Sequence, residues 1–254
     1  MYKLKYIYAA ISVAILLLSS CSESTTPTKE GTYYGPKVAI GNGIAQSWVM
    51  LDKDGNALSI GLNIDEAALE NLPTDMKEFL LALPSEASST PFNHISVDWN
   101  PLGHEPPGIY DVPHFDFHFY MISMDDRMKI TVQGDDTLKV YKQPPAGYMP
   151  DGYVLPPGTG VPMMGAHAFD VTSPELNGGK FTETFIYGFY DGMMVFAEPM
   201  VTVEYLKTKP NINKDLKLPQ KYPTSKNYPK KYSIKYYEST KTYSISLDAM
   251  YYVL

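Results

Sequence analysis

The octet from His114 to Met121 (HFDFHFYM) constrains this chain more than any other segment. Side chains on a β-strand alternate between two faces. His114, Asp116, His118 and Tyr120 therefore share one face, while Phe115, Phe117, Phe119 and Met121 share the other. An aromatic row of that bulk must be buried in a core. The titratable row is left facing solvent or an internal cavity. Histidine, aspartate and tyrosine in register are an odd set for a surface that is merely wet.

Strand signals recur along the chain. Lys37 to Ile40, Ile44 to Asp52 and Ala57 to Ile64 are short apolar runs, the last two joined by a hairpin turn at Asp54-Gly55. Asn63 with Glu66 resembles a helix cap and predicts a helix that Pro73 ends. Thr74 to Leu83 predicts a second short helix, closed by Pro84. Strand character returns at Phe92 to Trp99, and Ser123 with Asp126 caps a short helix through Ile130. The Pro/Gly-rich stretch from Gln143 to Met164 reads as a long ordered loop. Phe181 to Tyr190 and Met193 to Glu204 form a hairpin about Asp191-Gly192. Many strands, few helices and no βαβ alternation predict a mainly β fold, an antiparallel sandwich or barrel with a few short helices.

The N-terminus reads as an address. Lys3 and Lys5 precede an apolar run from Ile7 to Leu18, too short to span a bilayer, and Leu18-Ser19-Ser20-Cys21 matches a bacterial lipoprotein signal. The chain's one cysteine stands where the lipid would attach, so residues 1–20 are read as a signal peptide and 21–34 as lipidated cysteine and polar tether. Ser22 is not the aspartate of inner-membrane retention, which favours the outer membrane, with the mature domain periplasmic or surface-exposed. A single cysteine also excludes a disulfide framework. Residues 35–206 form the β-rich domain, and 207–254 a Lys/Pro connector with a Tyr-rich hairpin. That last segment carries ten lysines and three acids, whereas residues 22–206 carry nine basic and twenty-five acidic side chains. An acidic body argues against nucleic acid. The basic tail either meets anionic headgroups or polysaccharide, or lies on its own acidic domain.

Four of the five histidines, His104, His114, His118 and His167, fall in the Gly/Pro-framed middle of the chain. Imidazole with carboxylate suits divalent transition metals, zinc foremost. At a rise near 3.3 Å per residue, His114 and His118 lie roughly 13 Å apart and cannot readily share one ion. The expected centre therefore takes His104, His118 and His167 as core ligands, completed by His114, Asp116 or Glu198. Glu105, Tyr120 and Glu183 stand behind them as orienting or assisting groups. A two-residue turn at Asp191-Gly192 pairs Phe185 with Glu198, which makes Glu183 and Glu198 diagonal neighbours about 7 Å apart. His94 reads as an ordinary strand residue.

The stretch DWNPLGHEPPGIYDVPHFDFHFYMIS from Asp98, with the later GAHAFD, FTETFIYGFYDG and VFAEPM segments, resembles a family of uncharacterised secreted bacterial domains, the TTHB-type domain of unknown function. The resemblance spans about residues 35–205. It implies a β-rich domain and a symmetric oligomer, and brings no established activity. Cupin metalloproteins also carry strand histidines, but the His-x-His spacing is missing here.

Three functions fit these observations. One is an envelope lipoprotein with a His/carboxylate metal site, inert or enzymatic, in which an open position would activate water. Another is a non-catalytic oligomeric structural or ligand-binding lipoprotein whose histidines form a hydrogen-bond network. The third is a glycan-binding module built on the 21 tyrosines. The lipid anchor is testable directly: Cys21→Ser should shift the protein from the membrane pellet to the soluble fraction and remove the lipid mass from intact-protein spectra. A variant that stays in a carbonate-washed pellet refutes the anchor.

Overall fold

The computed structural model describes residues 29–254; the signal segment, Cys21 and the first part of the tether lie outside the described residues. Strands β1 (Gly31–Ile40), β2 (Gly43–Leu51) and β3 (Ala57–Asp65) make one meander, and β4 (Lys77–Ala82), β5 (His94–Asn100) and β6 (His114–Tyr120) a second. Helices α1 (Met124–Arg127) and α2 (Asp136–Val140) precede two minimal strands, β7 (Tyr153–Val154) and β8 (Gly160–Val161). Then come β9 (Gly165–Asp170), β10 (Glu183–Tyr190) and β11 (Met193–Thr202). Helix α3 (Val203–Lys207) leads to β12 (Asn211–Asp215), β13 (Asn227–Tyr228), β14 (Lys231–Tyr237), β15 (Thr242–Asp248) and β16 (Tyr251–Tyr252).

All the pairings are antiparallel. One sheet runs β1-β2-β3-β15-β14-β12, the other β4-β5-β6-β11-β10-β9-β7 with β8 on β9, and β13 pairs with β16. Neither large sheet closes on itself, so the architecture is a sandwich rather than a barrel. Ala45, Val49, Ile60, Leu62, Ile245 and Leu247 face inward from the first sheet. They meet Val97, Phe115, Phe117, Phe119, Phe189 and Val201 of the second in one continuous core. Phe115, Phe117 and Phe119 are fully buried, and each such burial contributes about 2–3 kcal/mol.

Two expected helices are strands or turns. Asn63 does not cap a helix: it lies within β3, where its Oδ1 accepts from the Trp48 indole at 3.1 Å, and only a 3-10 turn at Glu66–Leu69 follows. The segment read as a helix over 74–83 contains β4, paired with β5 from Lys77↔Trp99 to Ala82↔His94. Phe79 and Leu81 point inward while Glu78, Leu80 and Ala82 are exposed. That period of two, and an edge on which to pair, overrides helix propensity. The tether is also shorter than expected, because Gly31 to Tyr34 already pair with residues 48–51.

The 181–204 hairpin turns at Asp191-Gly192 as expected, with Tyr190↔Met193, but its register changes after two residues. A bulge between Gly188 and Phe189 sets Ile186, not Phe185, opposite Glu198. One inserted residue moves every later pair to the other face. Glu183 and Glu198 are therefore not neighbours: Glu183 points to the opposite side, against Lys214 and Tyr232.

The C-terminal segment is part of the sandwich, with β15 paired to β3 from Thr242↔Asp65 to Asp248↔Ser59. Lys209 reaches Glu66 at 3.3 Å, Lys217 reaches Asp170 at 2.7 Å, and Lys214 pairs with Glu183. Basic tail thus meets acidic body. Such partly exposed pairs contribute at most about 1 kcal/mol each, so the strand ladder and core set the docking.

Gly188 is where the fold meets the site. A Cβ there would lie 2.0 Å from the ring of Phe196, which is fully buried and packs on both His118 and His167. Gly188→Ala should lower stability by about 1–3 kcal/mol, read as a shift in denaturant midpoint.

Candidate metal centre

The titratable face of β6 turns away from the aromatic core and is buried nonetheless. His114 is 0%, His118 1%, Asp116 4% and Glu198 1% exposed. Neighbouring strands extend this face. On β5, Ser96 lies opposite His118, Asp98 opposite Asp116, and Asn100 opposite His114. On β11, Met200 lies opposite Asp116, which places Glu198 one same-face position along the strand. On β9, His167 pairs with Gly188, whose missing side chain leaves room for the Phe196 ring that packs on His167.

Residues 101–113 fold back over this face and deliver His104. Gly103 makes the turn with φ +70°, where a side chain would meet the Tyr110 carbonyl at 2.0 Å. The backbone N–H of His104 then bonds that carbonyl at 3.2 Å. Together with the 156–164 loop, this segment walls a cavity of about 1090 Å³ with His104, Asp116, His118 and His167 on its lining.

The ring nitrogens are oriented. Nδ1 of His104 donates to the Glu105 carbonyl at 2.8 Å, Nδ1 of His114 to Val112 at 2.7 Å, and Nδ1 of His167 to Thr159 at 2.9 Å. A carbonyl only accepts, so Nδ1 carries the proton in all three and Nε2 is the nitrogen turned inward. His118 is held by a carboxylate instead, its Nδ1 2.7 Å from Asp98 Oδ2. Each Nε2 then approaches an acid. Those of His104 and His114 lie 3.3 and 3.1 Å from Asp116; those of His118 and His167 lie 3.3 and 3.8 Å from Glu198.

Two groups result, each able to hold an ion: His104, His114 and Asp116, and His118, His167 and Glu198. The single centre expected around His104, His118 and His167 therefore divides. The reason is the strand period: four residues of β6 separate His114 from His118, and His104 folds back beside the former. Tyr120 lies against the rings of His94 and His118, beneath the Arg127 guanidinium. Glu105 contributes its carbonyl rather than its exposed side chain. Glu183 is on the other face of the sheet.

Several buried polar atoms here have no hydrogen-bond partner: Nε2 of His114, both ring nitrogens of His118, the Tyr120 hydroxyl, Oδ1 of Asp116 and Oε2 of Glu198. Buried groups of this kind are nearly always satisfied. The donor set also has suitable dimensions, since a tetrahedral ion with bonds of about 2.0–2.1 Å spaces its donor atoms about 3.3 Å apart.

Electrostatics distinguish the four rings. Burial alone would depress His104 and His118, but Asp116 beside the first, and Glu198 and Asp98 beside the second, raise both to about 9. Burial and the charge of His118 lower His167 to about 4. A neutral His167 thus aims a lone pair at Glu198, and a proton or a cation between them satisfies it. Burial pushes the Glu198 carboxyl up, although His118 opposes this. Asp116 is held well below the usual range despite its burial, by the His104 and His114 imidazoles beside it.

Three participants carried little sequence signal. Asp98 sits in an apolar strand and is identified only by its register with β6. Arg127 is almost fully buried, with Nη2 2.6 Å from Glu78, Nη1 3.2 Å from His94 and Nε donating to Met163. The chain's lone arginine was the clue to it. His94 belongs to this cluster and to neither ion group; burial, then Arg127, lowers it to about 4.

The class this fold and site define is an antiparallel β-sandwich with a His/carboxylate pocket on the outer face of one sheet. A family model described as TTHB210-like, hypothetical protein TTHB210, matches residues 52–99. That match covers β3, β4 and most of β5, including Glu78, His94 and Asp98, and stops before the loop that carries His104. No curated protein and no solved structure matches the chain.

The pH dependence of the metal-free protein follows. A histidine with a higher pKa folded than unfolded stabilises the fold fully below pH 6.5 and loses that contribution as pH rises through about 9. Glu198 acts in the same direction, since its folded state holds a proton that the unfolded chain has released. Chelator-treated protein should therefore melt at lower temperature at pH 9.5 than at pH 6.5, and His118→Gln should flatten that slope.

Proposed function

We propose that this protein binds divalent transition-metal ions, zinc foremost, one at each of the two His/carboxylate groups. The observation that carries this reading is the convergence of four Nε2 atoms on two buried carboxylates, with an oxygen within 2.9 Å behind every Nδ1. Such outer partners fix tautomer and ring direction in metal-ligating histidines. His118 with Asp98 has the carboxylate–histidine form, and the other three use backbone carbonyls. Three protein ligands at each group leave a coordination position free for water or a ligand. In the cell the domain would be held to the envelope membrane through lipidated Cys21.

Elemental analysis of protein prepared without chelator should find about two ions per chain, as the two groups require. His118→Ala with His167→Ala should remove one ion and leave the other, and His104→Ala with His114→Ala should do the converse. Zinc should raise the melting temperature of the wild type more than that of either double variant. Substoichiometric loading below about 0.2 ion per chain, unchanged by zinc dialysis, overturns the proposal.

A further inference from the structure

Resting on the metal reading, we infer that the cavity takes an amphiphilic organic anion whose carboxylate or phosphate head meets the two ion groups on its floor. Four ion ligands, His104, Asp116, His118 and His167, line this one cavity, whereas His114 and Glu198 lie buried beneath it. Both groups therefore face the same space.

Charge selects the sign of that head. Two divalent ions outweigh the carboxylates of Asp116, Glu198 and Asp98 by one positive charge, in a pocket floor almost without solvent contact. Glu78 is committed to Arg127 and cannot offset it. Glu105, Asp111 and Lys77 stand at the exposed rim, where solvent and salt screen them. A buried excess charge requires a counter-charge, and a bound ion dominates the local field.

The walls select the body. Met76, Leu102, Met163, Met164, Phe169 and Met200 surround the floor. Met76 and Leu102 are 67% and 82% exposed at the mouth, so apolar surface continues outward to solvent. Methionine-rich walls adapt to flexible apolar chains. The volume accommodates a molecule well beyond acetate in size.

Titration calorimetry on the purified full chain tests this with acetate, octanoate, octyl phosphate and octanol, zinc-loaded and zinc-free, with ion content measured on the same samples. Octanoate or octyl phosphate should bind the zinc-loaded protein at least about tenfold tighter than acetate or octanol, a difference of about 1.4 kcal/mol. That gain should vanish without zinc. Leu102→Glu and Met76→Glu, at exposed positions, should keep both ions and weaken octanoate while leaving acetate unchanged. If zinc loads fully but octanoate binds no tighter than acetate, or equally to zinc-free protein, this inference falls and the metal reading stands. If no zinc loads, both fall.

Discussion

Strand β6 lies inside the eight-stranded sheet with all seven of its residues buried, and its two faces must be satisfied in different ways. The phenylalanine face is satisfied by contact with the other sheet, which is non-directional and tolerant of small shifts. The histidine face is not. Removing imidazoles and carboxylates from water costs several kcal/mol per charge unless each is paired and hydrogen-bonded. The loops that cover this face supply the carbonyls of Glu105, Val112 and Thr159, and strand β5 supplies the Nδ2 of Asn100, which bonds Asp116 at 2.7 Å.

Those partners satisfy the back of three rings, while Nε2 of His114, both nitrogens of His118, Oδ1 of Asp116 and Oε2 of Glu198 are left without a hydrogen bond. Every Nδ1 has an oxygen close by, while the Nε2 atoms face carboxylate oxygens in arrangements that protons fill incompletely. A network built only for rigidity would be expected to satisfy its most buried atoms first. Here the unsatisfied atoms include Oδ1 of Asp116, Oε2 of Glu198 and Nε2 of His114 and His118, all fully buried. These unsatisfied atoms, more than the presence of histidine, favour the proposed ions over a structural hydrogen-bond cluster.

The rest of the molecule holds this face in place. Sheet pairing of β15 on β3 draws the C-terminal segment into the sandwich and backs the phenylalanine row. On the pocket side, Arg127 ties Glu78 of β4, His94 of β5 and the Met163 carbonyl together while lying 3.8 Å over the Tyr120 ring. One buried guanidinium thus joins two strands to the covering loop. Its planar set of donors suits that task as a lysine would not.

The local features of the sequence were the reliable ones. Alternation at His114–Tyr120 is a property of consecutive residues, so the strand, its two faces and the mainly β class could be read directly. The Asp191-Gly192 turn and the Ser123 cap were legible for the same reason, each being decided within a few residues. What lay beyond reach depended on distant partners. A strand on an available edge replaced the helix expected at 74–83, and one bulge beside Gly188 sent Glu183 and Glu198 to opposite faces. Only the three-dimensional path of residues 101–113 put His104 with His114 and left His118 to His167. The roles of Asp98 and Arg127 arose from cross-strand register and burial. Period two fixes which face a side chain takes, but which side chains meet across strands is settled by long-range pairing, and that was decided by the tertiary structure alone.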